Sequence, residues 1–185
     1  MTLALCSMSH SPLLELSQPP AELAADVETA FAAARTFIKE YDPELVVVFG
    51  PDHYNGFFYE LMPQFCVGLA ATSIGDFGSM PGPLDVPRDV AEGLAQAALD
   101  GGVDLAVSLR MEVDHGMVQP LEILFGGLDT VPTVPFFDRD PSLRDHPVYA
   151  DYPFVVVACE GSFHGRTLGS LHLTRTVQEG FALLR

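Results

Sequence analysis

The sequence predicts an α/β fold, a layered sandwich with a mostly parallel central sheet and helices on both faces. Three observations point there. Short apolar runs alternate with stretches whose apolar residues recur at helical spacing. The joints between them are rich in glycine and proline. The chain of 185 residues, 48% of them hydrophobic, has the length of one domain and enough apolar material for a sizeable core.

Leu3–Met8 predicts a first strand, interrupted at Ser9-His10-Ser11-Pro12. From Pro20 the residues Leu23, Val27, Ala30, Phe31, Ala34 and Ile38 mark one face of a helix, and Asp42-Pro43 stops it. Leu45–Phe49 is a continuous apolar run, as in a strand covered on both faces. The two strands of this unit then end at His10 and His53. Phe65–Ala71 predicts a further strand, and Gly75, Gly78, Pro81, Gly82 and Pro83 predict a long loop of the kind that often carries function. Asp85 and Pro87 start a second helix with Val90, Leu94 and Ala98 on its apolar face, ended by Gly101-Gly102. Val103–Leu109 is expected as a strand that delivers Asp114-His115-Gly116. Met117–Phe125 follows as a short helix with Pro120 in its first turn, and Val131–Phe137 as another strand. Asp138–Pro153 is polar and reads as a junction, after which Phe154–Cys159, Gly161–Gly169 and Val177–Leu184 predict a strand, a turn and a last helical segment.

Charge narrows the partners. With 25 acidic against 9 basic residues the formal net charge is −16, which opposes nucleic acid and anionic membranes by repulsion. Cys6, Cys66 and Cys159 lack the spacing of a disulfide framework or zinc knuckle and are expected as buried free thiols in a reducing compartment. The N-terminus reads as no leader, and no apolar run approaches the roughly 18 residues a bilayer requires. A cytoplasmic protein is expected.

His10, His53 and His115 each follow a strand-like run, and loops at the carboxyl ends of parallel strands converge on one crevice. Neutral imidazoles are good ligands for first-row metals, and two histidines with one carboxylate leave open positions on iron(II). His10 and His53 are the expected ligand pair. A third histidine near neutrality can move protons, the role expected of His115. A lone loop histidine is more often merely hydrogen-bonded, so the reading rests on the joint pattern. Asp52 and Asp114 precede two of the histidines and read either as groups orienting them or as turn residues bonding their own backbone. Tyr54, Phe57, Phe58 and Tyr59 suit a pocket wall, although core is the better expectation for most of them. His146 is expected as a solvated residue, and His164 and His172 lack a strand-end setting.

Four motifs together resemble the class III (LigB-type) extradiol ring-cleavage dioxygenases: Leu5-Cys-Ser-Met-Ser-His10-Ser-Pro-Leu, Pro43 through Asp52-His53-Tyr-Asn-Gly to Tyr59, Ile74-Gly-Asp-Phe-Gly-Ser, and Val113-Asp-His115-Gly-Met-Val-Gln-Pro-Leu-Glu. The resemblance covers about residues 1–136. It implies an Fe(II) enzyme that opens a catechol beside its hydroxyls with dioxygen, acting on a substrate with a short acidic side chain. His10 and His53 would be iron ligands and His115 an acid/base residue, and relatives commonly form homo-oligomers. The fold is incomplete relative to that family, whose later half supplies a glutamate ligand and a second acid/base histidine. None of Asp52, Asp114, Glu122 or Glu160 matches the missing ligand.

Residues 154–183, with Phe163-His164-Gly-Arg-Thr167, instead resemble a fragment of the class III pyridoxal-phosphate aminotransferases. Lys39 is the only lysine in the sequence and sits on the first helix, so nothing near Phe163 can form a Schiff base. The expected organisation is a mosaic of a dioxygenase front (1–136), a junction (137–153) and a tail of separate origin (154–185) that adds a strand to the same domain. Three functional readings stay open: a ring-cleaving dioxygenase, a non-catalytic recombined domain with a vestigial metal site, and a zinc hydrolase or metal-binding module on the same sheet.

Overall fold

The computed structural model describes residues 3–12, 16–17, 19–58 and 60–138. Pro12–Asp138 forms one compact unit, and Met1–Ser11 stands outside it. Phe137 and Asp138, expected to open the junction, instead belong to the strand Thr133–Asp138, because Phe137 is apolar and buried in the core. The rest of the expected junction, the tail strand and the tail helix, with His146, Cys159, Glu160, His164 and His172, lie outside the described residues.

Helix α1 spans Ala21–Tyr41 as the spacing predicts. It stops at Asp42, which takes a left-handed conformation (φ 52°) and donates its N–H to the Ile38 carbonyl. Aspartate tolerates that region, and Pro43 disfavours a further helical residue. Strand β1 (Val46–Gly50) pairs in parallel with β7 (Thr133–Asp138), from Val46↔Thr133 to Gly50↔Phe137. Strand β2 (Phe65–Gly68) lies antiparallel to β7 and parallel to β5 (Ala106–Ser108), giving a central sheet of order β1-β7-β2-β5.

The runs expected as single strands at Phe65–Ala71 and Val103–Leu109 are each broken by a bend. Beyond the bends the two chains pair again in parallel as β3 (Ala71–Ser73) and β6 (Met111–Val113). Leu69 N–H to the Ser108 carbonyl (2.8 Å) and Met111 N–H to the Ala70 carbonyl (2.8 Å) carry the ladder across. Burial explains the break. Cys66 and Val67 are both buried, whereas β3 and β6 alternate buried and exposed residues, so the chain leaves a two-sided core for a one-sided one. A short strand β4 (Gly82–Pro83) pairs antiparallel to β3.

Helix α2 (Arg88–Asp100) and helix α3 (His115–Phe125) fill opposite faces of the central sheet. Cys66 and Phe137 pack with Met117, Val118 and Leu121 of α3. Val67 and Val134 pack with Ala91 and Ala95 of α2. Neighbouring strand residues point to opposite faces, so Cys66 and Val67 serve different clusters. Helix α1 packs on α3 with no fully buried side chain, and its Leu23 and Phe37 remain exposed.

Leu3–Met8 forms no strand, and Leu3 is 98% exposed. An apolar run becomes a strand only where a neighbour takes up its backbone hydrogen bonds in a ladder, and every ladder among the described residues is formed by strands between Val46 and Asp138. Among the described residues, no helix is long and apolar enough to cross a membrane.

Candidate active site at the strand ends

Strands β1, β3 and β6 end at one place, and each hands over to a short polar turn. After β1, Pro51-Asp52-His53 bends sharply. Asp52 accepts the N–H groups of Asn55 (3.2 Å), Gly56 (2.7 Å) and Phe57 (3.1 Å), so the turn reading of this residue holds. Gly56 lets the turn lie against β6: a Cβ there would stand 2.4 Å from the Glu112 carbonyl oxygen.

After β6 comes Asp114, whose side chain is fully buried. It caps α3 by accepting Gly116 N–H at 2.9 Å. That cap starts the helix two residues earlier than expected, at His115, and places Pro120 in its second turn. The same carboxylate accepts His53 N–H (2.8 Å) and the Asn55 side-chain amide (2.9 Å), and it lies 3.2 Å from His53 Nδ1. Asp114 is therefore both a turn residue and the group that orients His53. Burial alone would raise its pKa, but the hydrogen bonds from the His53 ring, the Asn55 amide and His53 N–H hold it well below the usual carboxylate range. For His53 the hydrogen bond to Asp114 raises the pKa, desolvation opposes it, and the charges of Asp114, Asp52 and Asp76 add to the rise.

The loop after β3 supplies Asp76, which the sequence did not single out. Its Oδ1 accepts His115 N–H at 2.8 Å, and its Oδ2 lies 2.6 Å from His115 Nδ1. The His115 ring is 4% exposed, stacks on His53 at 4.5 Å between centroids with 18° between planes, and meets Phe77 edge-on at 5.0 Å. The structure thus brings His53 and His115 together. His10 belongs to Met1–Ser11, and its pairing with His53 rests on the sequence motif.

Of the aromatic cluster, Phe57 packs on the core with its ring tilted against Phe137 at 4.6 Å between centroids, while Tyr54 and Phe58 are exposed and Tyr59 lies outside the described residues. Among the described residues of the cluster, the core expectation holds for Phe57 and not for Tyr54 or Phe58. Glu122 accepts Met80 N–H and ties that loop to α3. Cys66 is buried as expected, and burial pushes its thiol up to about 11, whereas Cys6 is exposed because its segment forms no strand.

His53, Asp114 and His115 each offer a ligand atom, all within 4.8 Å of one another. Imidazole with carboxylate suits a borderline first-row ion. Asp114 already accepts three hydrogen bonds besides its contact with the His53 ring, so its chemistry is that of an orienting partner. With Nδ1 committed to Asp114, ligation by His53 would use Nε2, the carboxylate–histidine–metal pattern.

The family model described as "Catalytic LigB subunit of aromatic ring-opening dioxygenase" matches residues 4–146. A Mycolicibacterium paratuberculosis protein named 2,3-dihydroxyphenylpropionate/2,3-dihydroxicinnamic acid 1,2-dioxygenase is 58% identical over 137 residues, 74% of this chain and 44% of the relative. A Pseudomonas putida relative with the same activity in its name is also 58% identical over 137 residues, with the same coverage of both chains. One from Rhodococcus rhodochrous is 62% identical over 127 residues, 69% of this chain and 40% of the relative. The chain spans under half the length of these relatives.

Proposed function

The chain belongs to the LigB family of aromatic ring-opening dioxygenases, and from that premise we propose that it takes part in extradiol cleavage of a catechol such as 2,3-dihydroxyphenylpropionate, using iron(II) and dioxygen in aromatic catabolism. The observation that carries this reading is the stacked pair His53 and His115, each gripped by its own carboxylate at the ends of β1 and β6. His10 and His53 are the proposed metal ligands and His115 the acid/base residue. Iron(II), when bound, supplies a redox-active centre with open positions for the two substrates.

The chain's own groups divide the remaining work. Asp114 fixes the His53 ring and its tautomer. His115 accepts a catechol hydroxyl proton and returns it later, a role whose usual contribution is on the order of 10²- to 10⁴-fold in rate. Burial of His115 between Phe77 and His53 excludes bulk water from the proton's path. The wider organisation follows the same reading: beyond β7, residues 139–153 are a junction and 154–185 a tail of separate origin, supported by relatives that match only 74% of the chain. The buried free thiol Cys66 supports a cytoplasmic setting, and a homo-oligomer is proposed on family grounds.

The test is anaerobic iron(II) titration followed by oxygen uptake with 2,3-dihydroxyphenylpropionate. Stoichiometric iron, catechol-dependent oxygen uptake and a yellow ring-fission product are expected, all lost in a folded His53→Ala variant. A wild type that binds iron and consumes no oxygen refutes the catalytic reading and leaves a non-catalytic domain. Tight zinc binding without redox chemistry would favour a zinc site.

A further inference from the structure

The structure assigns Asp76 as a positioning residue that holds His115 with its proton on Nδ1, so that Nε2 is the nitrogen presented to the substrate. This rests on the acid/base role proposed for His115 and goes beyond it by naming the group that sets the ring's orientation and tautomer.

The geometry is two-pronged. One Asp76 oxygen takes the backbone N–H of His115 at 2.8 Å, and the other meets ring Nδ1 at 2.6 Å. A carboxylate is an acceptor only, so the Nδ1 it faces must carry the hydrogen. The other nitrogen, Nε2, is then the one with a lone pair in the neutral ring. Asp76 is 16% exposed and His115 4% exposed, so little water competes for either group. Phe77, directly after Asp76, meets the same ring edge-on.

Asp76 is itself fixed before any ligand arrives. Its loop leaves β3, which pairs in parallel with β6 as far as Ser73↔Val113, and Ile74 N–H to the Val113 carbonyl (3.0 Å) extends that ladder. Ser79 then donates both its N–H (2.9 Å) and its hydroxyl (2.8 Å) to the Asp76 carbonyl. When a catechol hydroxyl gives its proton to Nε2, the ring becomes an imidazolium, and the Asp76 carboxylate faces the new positive charge. The proton later leaves from the same atom.

Asp76→Asn tests this directly. The amide oxygen can keep the backbone N–H, which leaves its NH₂ against Nδ1. That donor stabilises the tautomer with hydrogen on Nε2, which cannot accept a proton from substrate. In metal-free protein with the ring neutral, ¹⁵N NMR of the His115 side chain is expected to show Nδ1 protonated in the wild type and Nε2 protonated in Asp76→Asn. In iron-loaded protein, kcat is expected to fall on the order of 10²- to 10⁴-fold with KM changed little. A wild-type ring protonated on Nε2 overturns the proposal, as does a folded Asp76→Asn variant that keeps the wild-type tautomer or wild-type kcat. If the variant fails to fold, the wild-type spectrum alone still decides. An inert wild type with Nδ1 protonated would refute the proposed activity and uphold the positioning role.

Discussion

Asp114→Ala is expected to be among the most damaging single changes in the Pro12–Asp138 unit, and its cost follows from what the carboxylate holds. Gly116 N–H loses its cap, worth about 1 kcal/mol. His53 N–H and the Asn55 amide lose their acceptor in a partly buried place, at about 1–3 kcal/mol each. Removing a buried charge returns part of its desolvation penalty, which places the total near about 3–5 kcal/mol. With an m-value of about 2 kcal/mol/M, the urea midpoint followed by circular dichroism should fall by about 2 M. Asp114→Asn should lose less, because Asn55 can turn its own amide to meet the new NH₂, leaving mainly His53 N–H opposed. Metal affinity should drop in both variants, about 10- to 100-fold, as the His53 ring loses its orienting partner. An Asp114→Ala midpoint within about 0.3 M of wild type would refute the assignment of Asp114 as the hub of this turn.

Two further outcomes are expected. Gly56→Ala forces a Cβ against the Glu112 carbonyl, and since that neighbour is strand backbone, the His53 turn must lift off β6. A loss of about 1–3 kcal/mol and faster amide exchange at His53 should follow; unchanged exchange would show that the contact is not limiting. For Cys66, burial raises the folded thiol from the ordinary 9.0 to about 11, so the protonated form is the one the fold favours. Its contribution is intact below pH 9 and is lost as pH rises from about 9 to 11. Urea midpoints of wild type and Cys66→Ala across that window should converge, and a constant difference would contradict the burial argument.

Local chemistry made much of this fold legible. The apolar stripe of α1, the Asp42-Pro43 stop, the Gly101-Gly102 end of α2 and the apolar runs of β1 and β7 are properties of neighbouring residues. The bends after Gly68 and Ser108 were not legible, because they depend on which faces of the strands find cover. Asp76 was missed for a related reason. Its motif was visible, but nothing within it says that its carboxylate meets His115, 39 residues away. That contact depends on the β3/β6 register. A signal was present only in combination, since Asp76 and His115 follow paired strand ends by three and two residues. Leu3–Met8 shows the opposite error, a strand-like composition in a segment outside the sheets of the described residues.

The end of β6 is where the site acquires its order. Asp114 and His115 are adjacent, yet the carboxylate of the first reaches the β1 turn and the ring of the second reaches the β3 loop. The extended backbone at Asp114 (φ −113°, ψ −172°) allows this, because successive extended residues face opposite ways. Each histidine is then held by the same device, one carboxylate spanning its backbone N–H and its Nδ1, and the two rings stack. The device ties ring orientation to strand register. A one-residue slip at the end of β6 would offer His115 where the Asp114 carboxylate belongs and break both grips together. The proposed ligand side and the proposed proton-transfer side of the site are therefore a single structural unit, and neither can drift without disturbing the other.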